Sequence, residues 1–354
     1  MTPLDYIHKP ITVKTPPDFT VISTFAGGGG SSTGYVWAGG KVLLAVEWDA
    51  NAVETYRLNH PATDVYHGDI AKLSVAECLA RTGLQPGELD IFDGSPPCQG
   101  FSTAGKRLLD DPRNALFREY VRLLRGLQPK VFVMENVSGL VKGKMKLVFA
   151  EILTELKASG YAVSARLLNA KYFGVPQSRE RLIFIGVRED LGIAPTHPTP
   201  QTKPIPLRIA LAGVPHGDVP PLSPKYRRMA PHIKQGECAA DHDRGKGFQS
   251  ITRQWWGRPA YTLTKTNSGS GVGTPLHPLH DRSLSIPEAK RIGSFPDAYQ
   301  LTGSFTEQWA RIGNSVPPRM MQAVAEHIRD RILNGVRSTD GPTFKVQRQP
   351  GATA

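Results

Sequence analysis

The sequence predicts an α/β protein: a mainly parallel sheet with helices on both faces, followed by a smaller, loop-rich second domain. Three observations carry this. Near-continuous apolar runs such as "FTVISTF", "KVLLAVEW" and "KVFVMEN" alternate with helical patterns, as expected of strands buried on both faces. From about residue 189 the periodicity fades into proline clusters, "IAPTHPTPQTKPIPL" and "GVPHGDVPPLSP", which suits a lobe built largely of loops. A helical pattern returns in "PPRMMQAVAEHIRDRIL".

In order, a Pro-rich leader precedes the strand "FTVISTF", the turn "AGGGGSSTG" and a short helix ending in "YVWAGG". The strand "KVLLAVEW" leads to the helix "DANAVETYRLNHP", with Asp49 as N-cap and Pro61 beyond its end. The strands "TDVYHGDI" and "LDIFDGSPP" follow, then the helix "NALFREYVRLLRGL", the strand "KVFVMEN" and the helix "KLVFAEILTELKAS". "YAVSARLLN" and "RLIFIGVR" close the series. The expected divisions are an N-terminal extension 1–17, a large domain 18–188, a smaller domain 189–306, a returning segment 307–335 and a disordered tail 336–354.

The 43 Lys and Arg against 31 Asp and Glu leave a formal charge of +12, which fits a polyanionic partner and equally a merely basic protein. Cys78, Cys98 and Cys238 form no metal-ligand spacing, which argues against a zinc site or a disulfide framework and for a reducing compartment. No stretch approaches the roughly 18 apolar residues of a membrane span, and the N-terminus lacks the pattern of a secretion signal. A cytoplasmic protein without a membrane partner is expected.

Gly27 to Gly30 lie between the first strand and the first helix, where glycine lets backbone approach a ligand at a helix N-terminus. Glu47 ends the next strand, placed to accept from ribose hydroxyls. Trp48 could stack on a purine, and Asp69 could accept from an exocyclic amine. Any adenosine-bearing cofactor fits, NAD included, although Ser32 and Thr33 break a clean GxGxxG spacing.

In "IFDGSPPCQGFS", Cys98 follows an apolar strand and opens a polar loop, with Pro96 and Pro97 stiffening its approach. Glu135 and Asn136 end the following strand, and a carboxyl buried there should hold its proton more tightly, as a proton donor needs. Gln177, Arg179 and Arg181 alternate at the start of a strand and should share a face, Arg being suited to a carbonyl or phosphate. A lone cysteine usually packs in a core, a strand-end acid is often a cap, and paired arginines are often surface. Together they converge on the carboxyl edge of one sheet.

These segments resemble the DNA (cytosine-5)-methyltransferase family of bacterial and phage modification enzymes. "FAGGGGSSTG" is similar to its cofactor loop, "GSPPCQGFS" to its nucleophile loop, "MENV" to its Glu-Asn-Val motif and "QSRERLIFIGV" to its Gln-x-Arg-x-Arg motif. "RIGSFPDAYQ" and "RIGNSVPP" are similar to its last two, in the family's order. The resemblance implies a Rossmann-like S-adenosylmethionine-dependent methyltransferase fold and a target-recognition domain whose variable part is about 189–275. It implies S-adenosyl-L-methionine as cofactor, S-adenosyl-L-homocysteine as product, and no metal.

By the same resemblance, Cys98 adds to carbon 6 of a flipped-out cytosine, Glu135 acts at N3, and Arg181 holds O2 with Arg179 in support. Asn136 orients the acid or the cysteine loop, beside Pro97. Cofactor contacts are implied for Phe25, Gly27, Gly29, Glu47, Trp48, Asp69, Ile70, Asn314 and Ser315. DNA contacts are implied for Gln99, Ser102, Lys106, Arg107, Arg113 and Gln177. Arg227, Arg228, Arg253, Trp255, Trp256 and Lys265 could face DNA, but a Trp pair more often packs in a core, and none of the six is assigned. Two departures stand out: Ser23 occupies a position that is often acidic, and Pro287 precedes Glu288 where the family often has Arg. The partner implied is double-stranded DNA, bound by a monomer in the cytoplasm at the nucleoid, with a cognate restriction endonuclease acting separately left open. A tRNA cytosine methylase shares the motifs, but its Cys-Phe-Thr signature is absent from the recognition region.

Overall fold

The computed structural model describes residues 4–97, 114–141, 143, 145–241, 251–267 and 274–339. Seven strands, β1 (Phe19–Thr24), β2 (Gly40–Glu47), β3 (Asp64–His67), β4 (Ile91–Gly94), β5 (Val131–Val137), β6 (Tyr161–Asn169) and β7 (Glu180–Arg188), form one sheet in the order β3-β2-β1-β4-β5-β7-β6. The first five run parallel, and β7 is antiparallel to both of its neighbours. The chain winds outward from β1 to β3, then crosses back to β4, which opens a crevice at the carboxyl ends of β1 and β4.

The apolar runs alternate between two cores. Val131 and Val133 face one, with Phe19, Val21, Ile91 and Ile185; Phe132 and Met134 face the other, with Ile22, Phe92 and Phe184. The helices α1 (Gly30–Trp37), α2 (Ala50–Asn59), α3 (Val75–Thr82), α4 (Ala115–Leu127) and α5 (Met145–Lys157) connect the strands. Asp49 caps α2, accepting from the Ala52 N–H. α1 begins at Gly30, so the serines and threonine of "SSTG" are helical rather than part of the turn. Thr33 donates to the Gly29 carbonyl, and Ser32 accepts from Tyr56 of α2.

α3 was not anticipated. Its signals were present, since Ser74 accepts from the Glu77 N–H and Gly83 ends the helix in the left-handed region. Cys78 is fully buried, and Val75 and Leu79 pack beside it against the core at helical spacing.

The smaller lobe holds α6 (Leu207–Ala210), α7 (Pro224–Met229), the paired β8 (Thr252–Arg253) and β9 (Pro275–Leu276), α8 (Ile286–Ile292) and α9 (Phe305–Asn314). α8 and α9 each start with a complete capping box, Ser285 with Glu288 and Ser304 with Glu307. α9 runs across the expected division at 306, and Trp309 and Ile312 pack with Leu207, Leu263 and Phe295 of this lobe. Val316 is the first residue back in the large core, and α10 (Pro318–Ile328) packs there with Tyr35 of α1. Glu288 is held by Arg282 at 2.7 Å. Arg253 does not face DNA: it is buried and donates to the carbonyls of Ala230, Ile233, His277 and His280. No described helix is long and apolar enough to cross a membrane.

Candidate active site

A cavity of about 840 Å³ opens at the carboxyl ends of β1 and β2. Phe25, Gly27, Glu47, Trp48, Asp69, Ile70, Asn314 and Ser315 all line it. Glu47 accepts from the backbone N–H groups of Gly27, Trp48 and Asp49 at 2.8–2.9 Å, which fixes its carboxylate at the mouth of the glycine turn. Phe25 adopts a φ of 55°, a left-handed conformation that costs a non-glycine residue energy and turns the chain sharply out of β1. Trp48 stands 77 % exposed, a free aromatic plane beside the acid. An acid, an aromatic plane and a glycine turn in one cavity fit a nucleoside-bearing cofactor.

Gly29 departs from expectation, because it lies behind the turn and does not line the cavity. Its φ is +91°, and a Cβ there would sit 2.7 Å from the Tyr299 hydroxyl and 2.8 Å from the His60 ring. Tyr299 donates to the Gly28 carbonyl, and His60 meets Thr33 Oγ1 at 3.2 Å. Burial pulls His60 down to about 4, so it supports the turn as a neutral ring.

At the neighbouring strand ends, Arg181 Nε lies 2.5 Å from Glu135 Oε1, both side chains nearly buried. The lone buried carboxyl expected at Glu135 is therefore one half of an ion pair, because β5 and β7 place the two on adjacent strands. Asn136 donates from Nδ2 to the Pro96 carbonyl at 3.4 Å, tying the end of β5 to the approach to Cys98. Pro97, immediately before that cysteine, lines the cavity. Cys98, Gln99, Ser102, Lys106, Arg107 and Arg113 lie outside the described residues.

One more expectation is corrected. Gln177 was expected at DNA, but it is 2 % exposed, donating to Ile292 and accepting from the Leu263 N–H. Arg179, expected in support of Arg181, is buried and donates to the carbonyls of Leu263 and Gly313 at 2.9 Å. Burial, then the charge of Arg181, draws its guanidinium down to about 9, still protonated at neutral pH. Both residues precede β7, where the chain no longer alternates as a strand, so only Arg181 reaches Glu135.

The sequence reading missed Arg311 and gave Asp49 only a capping role. Arg311 Nη1 is 3.1 Å from Asp49 Oδ1, and both residues line the cavity. Arg311 sits three residues before Asn314 on α9, a helical spacing that could have signalled a shared face. Asp93 was also missed: it is 4 % exposed on β4, accepting from Ser23 Oγ at 2.9 Å and Tyr35 Oη at 3.0 Å. Among the described residues, no group of three or more His, Cys, Asp and Glu could hold a metal ion.

The family model for C-5 cytosine-specific DNA methylases matches residues 19–330. Among named proteins, the Type II methyltransferase M.Sau96I of Staphylococcus aureus is 34 % identical, across 92 % of this chain and 79 % of that protein. The Type II methyltransferase M1.HphI of Haemophilus parahaemolyticus is 34 % identical, across 87 % of this chain and 86 % of that protein. The structure of a presumed DNA modification methyltransferase from an E. coli prophage superposes with a TM-score of 0.74 at 24 % identity, covering 89 % of this chain and 99 % of that one.

Proposed function

We propose, for a chain that belongs to the C-5 cytosine-specific DNA methylase family, that Cys98, Glu135 and Arg181 carry out its reaction at one site beside the cofactor cavity. The enzyme methylates cytosine in DNA at carbon 5, at a specific sequence, with S-adenosylmethionine as methyl donor. The cofactor supplies an electrophilic methyl on a sulfonium. Glu47 would accept from the ribose hydroxyls, Trp48 would cover the adenine, and Asp69 would take its amino group. Asn314 and Ser315 close the cavity from the end of α9.

Carbon 5 of cytosine is a weak nucleophile, so the ring must first be activated. The Cys98 thiolate bonds to carbon 6 while Glu135 hydrogen-bonds to or protonates N3, which directs electron density to carbon 5. Arg181 holds the ring O2, and its pairing with Glu135 fixes both groups at one edge of the base. After methyl transfer, loss of the carbon 5 proton expels the thiolate and restores the aromatic ring. A cysteine reaching carbon 6 requires the base to leave the duplex. The 2.5 Å pair of Glu135 and Arg181, with Asn136 bound to Pro96, is the observation that most supports this reading.

The domain division, a separate restriction endonuclease, a monomeric state and a cytoplasmic, nucleoid-bound location belong to the same proposal. Residues 99–113 would meet phosphates and the gap left by the base. The test uses duplex DNA carrying 5-fluorocytosine at the target, where fluorine cannot leave as a proton does. A denaturation-resistant adduct with DNA on the Cys98 peptide, identified by mass spectrometry, is expected. An adduct on another residue, or none beside an active control on normal DNA, contradicts the assignment.

A further inference from the structure

Asp93 is a carboxyl in an unusual place. It lies on the sheet face otherwise occupied by Val21, Tyr35, Ile91 and Val133. Ser23 and Asp93 are register partners in parallel strands, so their side chains emerge on the same face. The carboxyl accepts from Ser23 on β1 and from Tyr35 on α1, and both donors are neutral. The other titratable groups around it are Glu135 on β5, Tyr120 on α4 and Tyr56 on α2. None is cationic, so ionising Asp93 is costly.

The two strands it joins end at the two halves of the site. β1 stops at Thr24, one residue before the cofactor turn, and β4 stops at Gly94, before Ser95 and Pro97 of the cavity wall. Thr24 Oγ1 donates to the Asp93 carbonyl at 2.9 Å, a second tie at the same level. We propose that Asp93, through Ser23 and Tyr35, is a positioning residue that locks the cofactor turn to the cavity wall at Ser95 and Pro97. Because Ser23 and Asp93 are register partners, a carboxyl at either position would span the same gap between the two strands. Burial, with the charge of Glu135, pushes Asp93 up to about 7, so its charge state also changes near neutral pH.

This rests on the reading of the glycine turn as the cofactor site. The experiment compares wild type, Asp93→Ser and the exchange Ser23→Asp/Asp93→Ser, measuring S-adenosylhomocysteine affinity by calorimetry and single-turnover methyl transfer to duplex DNA. Asp93→Ser is expected to lose about tenfold in both, equivalent to about 1.4 kcal/mol each. The exchange is expected to recover to within about threefold of wild type. Asp93→Asn, which keeps the shape, serves if Asp93→Ser does not fold. It is expected to transfer methyl more slowly and to lack the inflection near pH 7 in the wild-type rate profile. An unimpaired Asp93→Ser, a folded exchange that rescues nothing, or an Asp93→Asn profile like wild type overturns the proposal. A wild type that binds no S-adenosylhomocysteine overturns the cofactor reading, and this proposal with it. Wild-type binding with no rescue overturns this proposal alone.

Discussion

Arg181 Nε and Glu135 Oε1 stand 2.5 Å apart on adjacent antiparallel strands, with side chains only 13 % and 12 % exposed. A pair so sheltered makes each group depend on the other. Removing one charge leaves the other desolvated and unpaired, at a cost of roughly 3–5 kcal/mol. Arg181→Ala is therefore expected to lower the urea midpoint as well as the methylation rate. Arg181→Lys, which keeps the charge without the planar fork, should retain more stability than activity.

Glu135→Gln keeps shape and removes proton donation. Its methyl-transfer rate is expected to fall by about 10²–10⁴, with S-adenosylhomocysteine affinity unchanged, because Glu135 does not line the cofactor cavity. A loss of cofactor affinity matching the loss of rate would contradict this division of labour.

Asn136→Ala removes the tie to the Pro96 carbonyl. One hydrogen bond of this kind contributes about 1 kcal/mol, so a rate loss of roughly fivefold is expected in a protein that folds and binds cofactor as before. Single-turnover kinetics beside calorimetry checks it.

Arg179→Ala and Gln177→Ala are expected to act on stability first. Arg179 donates to two buried carbonyls, and leaving them unpaired costs about 1–3 kcal/mol each. DNA affinity per folded molecule should hold for both. A fully stable Gln177→Ala with weakened DNA binding would restore the DNA contact that its burial argues against.

Stability should depend on pH through groups with opposite effects. Asp93 sits near 7 when folded against an ordinary 3.8, so between these values the folded state holds a proton that the unfolded chain has released. Its contribution falls as pH rises through that window, by on the order of 4 kcal/mol. His60 works the other way: pulled from 6.5 to about 4, it contributes fully above 6.5 and loses that contribution as pH falls. Relative to wild type, Asp93→Asn should therefore gain stability from about pH 4 to 7 and then level off. Urea titrations across pH test this, and a pH-independent difference would contradict it.

The parallel half of the sheet was legible in the sequence because its apolar runs alternate between two cores, as Val131 and Phe132 do. The reversal of β7 was legible only indirectly: residues 170–179 are too few to hold the crossover that a parallel partner needs. Glu47 and Trp48 line the cavity because a strand end fixes direction. Gly29 and Gln177 did not reach their expected places, because what decides them is the approach of Tyr299, Ile292 and Leu263 from the other lobe. No local pattern encodes that approach. Asp93 was hidden for the same reason, since its neighbour Ser23 is seventy residues away in sequence and adjacent only in the sheet.

The central claim is that this chain methylates cytosine within one short DNA sequence, through Cys98. The most direct measurement is bisulfite sequencing of genomic DNA from a host without its own cytosine methylation, expressing either wild type or Cys98→Ala. Protected cytosines confined to one motif in the wild type, and none in the folded variant, are expected. Unprotected DNA beside well-folded wild type, or equal protection by Cys98→Ala, would contradict the claim.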